Sequence, residues 1–165
     1  MKDDDASRPD LFRVRTGGQI HAGWLNRDLP FLVRSLSFLL RPESAELRAM
    51  AALEAGDIGV LSVVALNPGV NQNDLAASLV LKKSAITNVV QRLENRGLLR
   101  RQRSPHDRRA NLIFLTEAGA ELVAFTRTEI DRRTEDWFAG IDPDEREVFF
   151  SVLTRLIGKL ASPEA

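Results

Sequence analysis

Apolar residues fall at helical spacing from Pro30 onward. Leu32, Leu36, Leu39 and Leu40 stand three or four apart, with Arg34 on the other side, the period of an amphipathic helix. Pro42 lacks an N–H and clashes with the preceding turn, so it is predicted to end or kink this helix. A second helical run follows over residues 43–55 through Ala45, Leu47, Met50, Ala51 and Leu53, and Gly56 is predicted to break it. Residues 57–66 read as a short apolar helix closed by Asn67-Pro68-Gly69. Asn71 is a good N-cap for a helix running to about residue 79, with Asp74 favouring its dipole. Val80 and Leu81 form a tight turn, and a longer helix over 82–96 turns Ile86, Val89, Val90 and Leu93 inward. Gly97 and Leu98 have the spacing of a Schellman cap, with Leu98 touching Leu93.

Two short strands are predicted next, over 98–103 and 110–115, joined by a polar tip at 104–109. Thr116 caps a long helix that reaches about residue 138, with Leu122, Phe125, Ile130 and Trp137 among its apolar positions. Asp142, Pro143 and Glu145 start a last helix in a capping-box-like arrangement. Val148, Phe149, Phe150, Val152, Leu153, Leu156, Ile157 and Leu160 cover more than one face of that helix, so it is expected to pack against a second chain. Residues 1–28 read as a polar lead without regular elements, since Asp3–Asp5, Pro9, Gly17 and Gly18 disfavour them. The divisions expected are therefore 1–28, a lead; 29–56, helices; 57–116, a winged helix-turn-helix; and 117–165, helices again. The fold class is mainly α with a small two-stranded β wing.

The net charge is zero, but the total hides a local field. Residues 82–109 hold nine basic side chains and two acidic ones, hence +7, which leaves −7 on the rest of the chain. Such a stripe suits a polyanion docking in one place. There is no cysteine, and the two histidines lie in different segments. Disulfides, thiol redox chemistry and thiolate metal sites are excluded, and neither a metal nor a cofactor is expected. No phosphate-binding glycine loop or nucleophile–base pair suggests an enzyme. No apolar run spans a bilayer and no secretory leader is visible, so a cytoplasmic protein is expected.

The longer helix of the pair fits a major groove while the preceding helix braces it. Its outward positions are Ser84, Thr87, Asn88, Gln91 and Arg92, with Lys82 and Lys83 at its start. Hydroxyl, amide and guanidinium groups read base edges or clamp phosphates. Thr87, Asn88 and Gln91 are uncharged and suit base readout; the competing reading for each alone is a solvated helix face. Arg101, Arg103, Arg108 and Arg109 arm the wing, where an arginine can enter a narrow minor groove. Asp107 beside them orients an arginine or holds the turn.

Asp107-Arg108-Arg109 followed by Leu115-Thr116-Glu117-Ala118-Gly119 resembles the wing signature of the MarR/SlyA family. Residues 93–101 are similar to the end of that family's reading helix, and Asn67-Pro68-Gly69 with 71–77 to its approach. The resemblance covers about residues 56–122. It implies a homodimeric transcriptional regulator on double-stranded DNA, with 29–56 and 117–165 as its α-helical dimerisation layer, a pseudo-palindromic operator read as two half-sites, and Arg109 in the minor groove. It also implies repression relieved by a small aromatic or phenolic ligand bound between the dimerisation and DNA-binding layers. The missing cysteines remove the family's oxidation-sensing branch, and Pro42 departs from the single long first helix of relatives.

Trp24, Phe31, Phe38, Met50, Trp137 and Phe138 are the aromatic-pocket candidates; core or dimer contact is the competing role for all six. Arg34, Arg41 or Arg48 could pair with a carboxylate ligand. The alternatives are a winged-helix regulator without a small effector and a winged helix that binds protein. The basic stripe favours DNA over the latter.

Overall fold

The computed structural model describes residues 11–13, 18–79, 81–103 and 111–161. The chain divides into two compact units, Met1–Glu46 and Leu47–Ala165.

In the first unit, β1 (Leu11–Arg13) and β2 (Gln19–His21) pair antiparallel, with Leu11 opposite His21. A 3-10 turn over Gly23–Arg27 follows. The expectation of an irregular lead is thus corrected. Glycines that disfavour a helix are also the residues that let a short hairpin close, and Gly18 directly precedes β2. α1 (Leu29–Met50) starts with the Asp28 carboxylate accepting the Phe31 N–H at 2.9 Å. It continues past Pro42, so of the two expected outcomes, an end or a kink, the end does not occur. Pro42 is exposed, so the Phe38 carbonyl that loses its partner lies where water can serve it.

α1 ends earlier than Gly56. Ala52 takes a left-handed φ of 50°. The Leu53 N–H bonds the Arg48 carbonyl at 2.7 Å and the Ala52 N–H bonds Ala49 at 3.1 Å. That is a Schellman termination with alanine where glycine is preferred.

The second unit holds α2 (Asp57–Leu66), β3 (Val70–Asn71), α3 (Gln72–Ser78), α4 (Lys83–Asn95), β4 (Leu99–Arg103), β5 (Asn111–Leu115), α5 (Glu117–Trp137) and α6 (Pro143–Ala161). The sheet has three strands in the order β3-β5-β4, not the two expected. β3 pairs Val70 with Ile113 and Asn71 with Leu112; a two-residue strand is too short to show alternation. Val60, Leu61 and Val64 of α2, Leu75 of α3, Ile86, Val90 and Leu93 of α4, and Ile113 of β5 form the fully buried centre. Leu122 and Val123 of α5 pack against it.

The caps follow the sequence. Asn71 accepts from the Asn73 and Asp74 N–H groups. Gly97 has φ 70°, its N–H bonds the Glu94 carbonyl at 2.9 Å, and the Leu98 N–H bonds Leu93 at 2.9 Å. Thr116 joins this turn to α5. Its hydroxyl donates to the Gly97 carbonyl at 2.7 Å and accepts from the Gly119 N–H at 3.1 Å. α6 contributes no buried residue among those described. It meets the end of α5 through Phe138, Phe149 and Phe150, whose ring centroids lie 5.3 to 5.7 Å apart. Arg146 also reaches Glu135 at 2.7 Å. That hydrogen bond holds the Glu135 carboxyl below its ordinary pKa.

Candidate nucleic-acid interface

α4 is amphipathic because Ile86, Val89, Val90 and Leu93 recur on one side and are buried. Its burial fixes which residues face water. Lys82, Lys83, Ser84, Thr87, Asn88 and Gln91 are all exposed, as expected of a reading face. α3 packs directly on α4 and contributes a side chain to that face. The Gln72 amide donates to the Thr87 hydroxyl at 2.6 Å, and that hydroxyl donates to the Lys83 carbonyl at 2.8 Å. Gln91 donates to Asn95 at 3.0 Å. Hydroxyls and amides in a row can read base edges, and the lysines at the helix start can neutralise phosphates.

Arg92 departs from the expected row. Its guanidinium is hydrogen-bonded to the Asp57 carboxylate and lies 3.3 Å from Glu54. Asp57 is fully buried at the first turn of α2, and a buried carboxylate requires a cation and hydrogen-bond donors. The Glu54 N–H supplies one donor at 2.8 Å, and Arg96 stands 3.8 Å away. The bond to Asp57, helped by the charges of Asp57 and Glu54, raises the Arg92 pKa above its already high ordinary value. Arg92 is therefore tied to the frame.

The wing residues divide similarly. Arg101 is half-buried beside Glu94 at 3.5 Å, and Arg100 lies over the Phe114 ring at 4.6 Å. Arg103 is exposed at the end of β4. Asp107, Arg108 and Arg109 lie outside the described residues. The +7 stripe is thus partly spent on internal pairs: Arg92, Arg96 and Arg101 each face a carboxylate. Lys82, Lys83, Arg96, Arg100 and Arg103 are the exposed cations of the stripe among the described residues. Sequence reasoning missed Asp57 and Gln72, because pairs 35 and 15 residues apart leave no local pattern.

The aromatic-pocket candidates fall in both units. In the first, Trp24 is exposed, Phe31 half-buried and Phe38 exposed with Arg41 over its ring at 5.8 Å. In the second, Met50 is exposed with its sulfur 3.6 Å from Arg133 Nη2. Trp137 is exposed, and Phe138 belongs to the phenylalanine cluster with α6. Arg34 is exposed and Arg48 half-buried on α1. Among the described residues, no group of acidic and histidine side chains could hold a metal ion, and no helix is long and apolar enough to cross a membrane.

A family model described as the MarR family matches residues 53–110. A putative transcriptional regulatory protein for the hcr operon of Thauera aromatica is 36% identical over 101 residues, 61% of either chain. The chain thus spans about three fifths of the length of the first curated relatives it matches. The transcriptional repressor CouR bound to a 23-mer DNA duplex is similar over 85% of this chain and 99% of its own, with a TM-score of 0.74 and 26% identity. CouR from Rhodococcus jostii is also known bound to p-coumaroyl-CoA, with a TM-score of 0.73, 27% identity and coverage of 86% of this chain and 96% of its own. PcaV, a transcriptional regulator from Streptomyces coelicolor in complex with its natural ligand, is 28% identical, with a TM-score of 0.65 over 79% of this chain and 92% of its own. The helix-turn-helix, its three-stranded wing sheet and these likenesses agree on a winged-helix fold, and residues 53–110 are similar to the MarR family of transcriptional regulators.

Proposed function

We propose that this chain is a sequence-specific DNA-binding regulator that acts as a homodimer on a pseudo-palindromic operator, as a repressor released by a small aromatic or phenolic ligand. The observation that carries the DNA-binding reading is the solvent-facing row Ser84, Thr87, Asn88 and Gln91, flanked by Lys82 and Lys83, on a helix whose other side is fixed in the core. The same fold sits on a DNA duplex in CouR. In this reading α4 enters the major groove, Asn88 and Gln91 meet base edges, and the lysines and Arg103 meet phosphates. By its place in the sequence, Arg109 reaches the minor groove from the β4–β5 connection. The exposed apolar residues of α6 supply the self-association that pairs two half-sites. The ligand component draws support from the ligand-bound relatives.

The test is selection of bound duplexes from a random pool, repeated with and without phenolic acids and their coenzyme A thioesters. An inverted repeat with half-sites about one helical turn apart is expected. Its affinity should fall roughly a thousandfold between about 50 and 200 mM salt if some six phosphates are contacted. Enrichment of no sequence, or a flat salt profile, would count against DNA binding and favour a protein-binding winged helix. Enrichment that no aromatic compound weakens would remove the ligand component alone.

A further inference from the structure

Thr87 is the one uncharged residue of the reading face held from another helix among the described contacts. Its hydroxyl has one proton and two lone pairs. The proton goes to the Lys83 carbonyl, one turn back, at 2.8 Å. One lone pair accepts the Gln72 amide N–H at 2.6 Å. What remains for a ligand is one lone pair and the methyl group. Threonine in a helix divides between two side-chain rotamers because its hydroxyl can bond the carbonyl three or four residues back. A donor arriving from Gln72 favours the rotamer in place, since it meets the oxygen where the Lys83 bond has put it.

Resting on the DNA-binding reading above, we propose that Gln72 is a specificity-determining positioning residue, which acts by holding Thr87 as an acceptor with its methyl group in a fixed direction. Held so, Thr87 can accept from the amino group of adenine or cytosine, or contact the thymine methyl. It cannot donate to the acceptor edge of guanine. Release of Gln72 lets the hydroxyl rotate, and the same side chain then donates as well as accepts. The preference at one base pair in each half-site therefore depends on a residue of α3 that need not touch that base.

The experiment is random-pool selection with the full chain and with Gln72→Ala, Thr87→Val and the double variant, followed by titration of operators that differ at single positions. Thr87→Val marks the base pair that Thr87 reads. At that pair, Gln72→Ala should lower the ratio between the best and worst base about fivefold, the worth of one neutral hydrogen bond, while preferences at the other pairs hold. In the Thr87→Val background Gln72→Ala should cause no further change in that ratio. A uniform loss of affinity with unchanged base preference would make Gln72 a phosphate contact and overturn the proposal. So would an equal loss of preference with and without the Thr87 hydroxyl. If the parent chain selects no motif at all, the DNA-binding reading fails and the proposal falls with it. A selected motif with Gln72-independent preferences overturns the proposal alone.

Discussion

The Asp57–Arg92 pair sets an unequal cost on its two partners. Asp57 is fully buried, whereas the Arg92 side chain keeps 27% of its exposure and has Glu54 3.3 Å away. Arg92→Ala strands a buried carboxylate whose next cation, Arg96, is 3.8 Å off. It should cost about 3 kcal/mol in chemical denaturation. Asp57→Ala leaves a guanidinium that can still reach water and Glu54, so about 2 kcal/mol is expected, with the loss of the Glu54 N–H acceptor included. A reversed order, or a neutral Arg92→Ala, would show that the pair does not hold α4 against the start of α2. At this scale the sequence was legible wherever a role follows from helical period. The exposed positions 84, 87, 88 and 91 come from the same count that buries 86, 89, 90 and 93. Arg92 escaped because its long stem makes direction a matter of partners, and Asp57 lies 35 residues away in sequence.

At the level of elements, the two helix ends that glycine was expected to decide came out differently. Gly97 terminates α4 as the Gly97-Leu98 spacing implies, with φ 70° and both Schellman bonds made. α1 stops at Ala52, which gives no local signal because alanine is the best helix former and a poor left-handed residue. That mismatch is correctable. Ala52→Gly relieves the left-handed strain, less the added chain entropy of glycine, and should raise stability by about 0.5–1 kcal/mol. A lowered melting temperature would mean that the turn is held by something other than backbone preference. The opposite substitution is expected at Gly119, in the first turn of α5. A Cβ there would lie 2.1 Å from the Leu98 carbonyl oxygen, which already accepts the Thr116 N–H at 3.1 Å. Gly119→Ala must push α5 off the wing sheet, at about 3 kcal/mol. Wild-type stability in that variant would contradict the close approach. The glycine of the Leu-Thr-x-x-Gly run was legible as a motif, and the structure supplies its reason. β3 and the N-terminal hairpin were not legible, since strands of two and three residues carry too few positions for a period.

For the whole molecule, α6 presents an exposed apolar surface. Val148, Val152, Ile157 and Leu160 are 61%, 53%, 55% and 73% exposed, and the helix has no buried residue among those described. Exposed apolar residues gathered on one 19-residue helix are the mark of an interaction site. The over-apolar pattern of this segment already pointed to a second chain. Charge placed there separates association from folding. Because Val152 and Ile157 are exposed in the single chain, Val152→Glu with Ile157→Glu should leave the core of α2, α3 and α4 intact and change local stability by no more than about 0.5 kcal/mol. In a dimer packed through α6 each carboxylate would be taken out of water, and the doubled substitution should give a monomer in sedimentation equilibrium. Two linked half-site contacts exceed one by about a hundredfold or more. The variant should therefore lose at least that factor on the full inverted repeat while binding an isolated half-site as the parent does. A parent chain that sediments as a monomer at micromolar concentration would refute the dimer, as would a charged variant that still dimerises through α6. Equal losses on the full and half operators would instead place these residues in the folding of the reading unit.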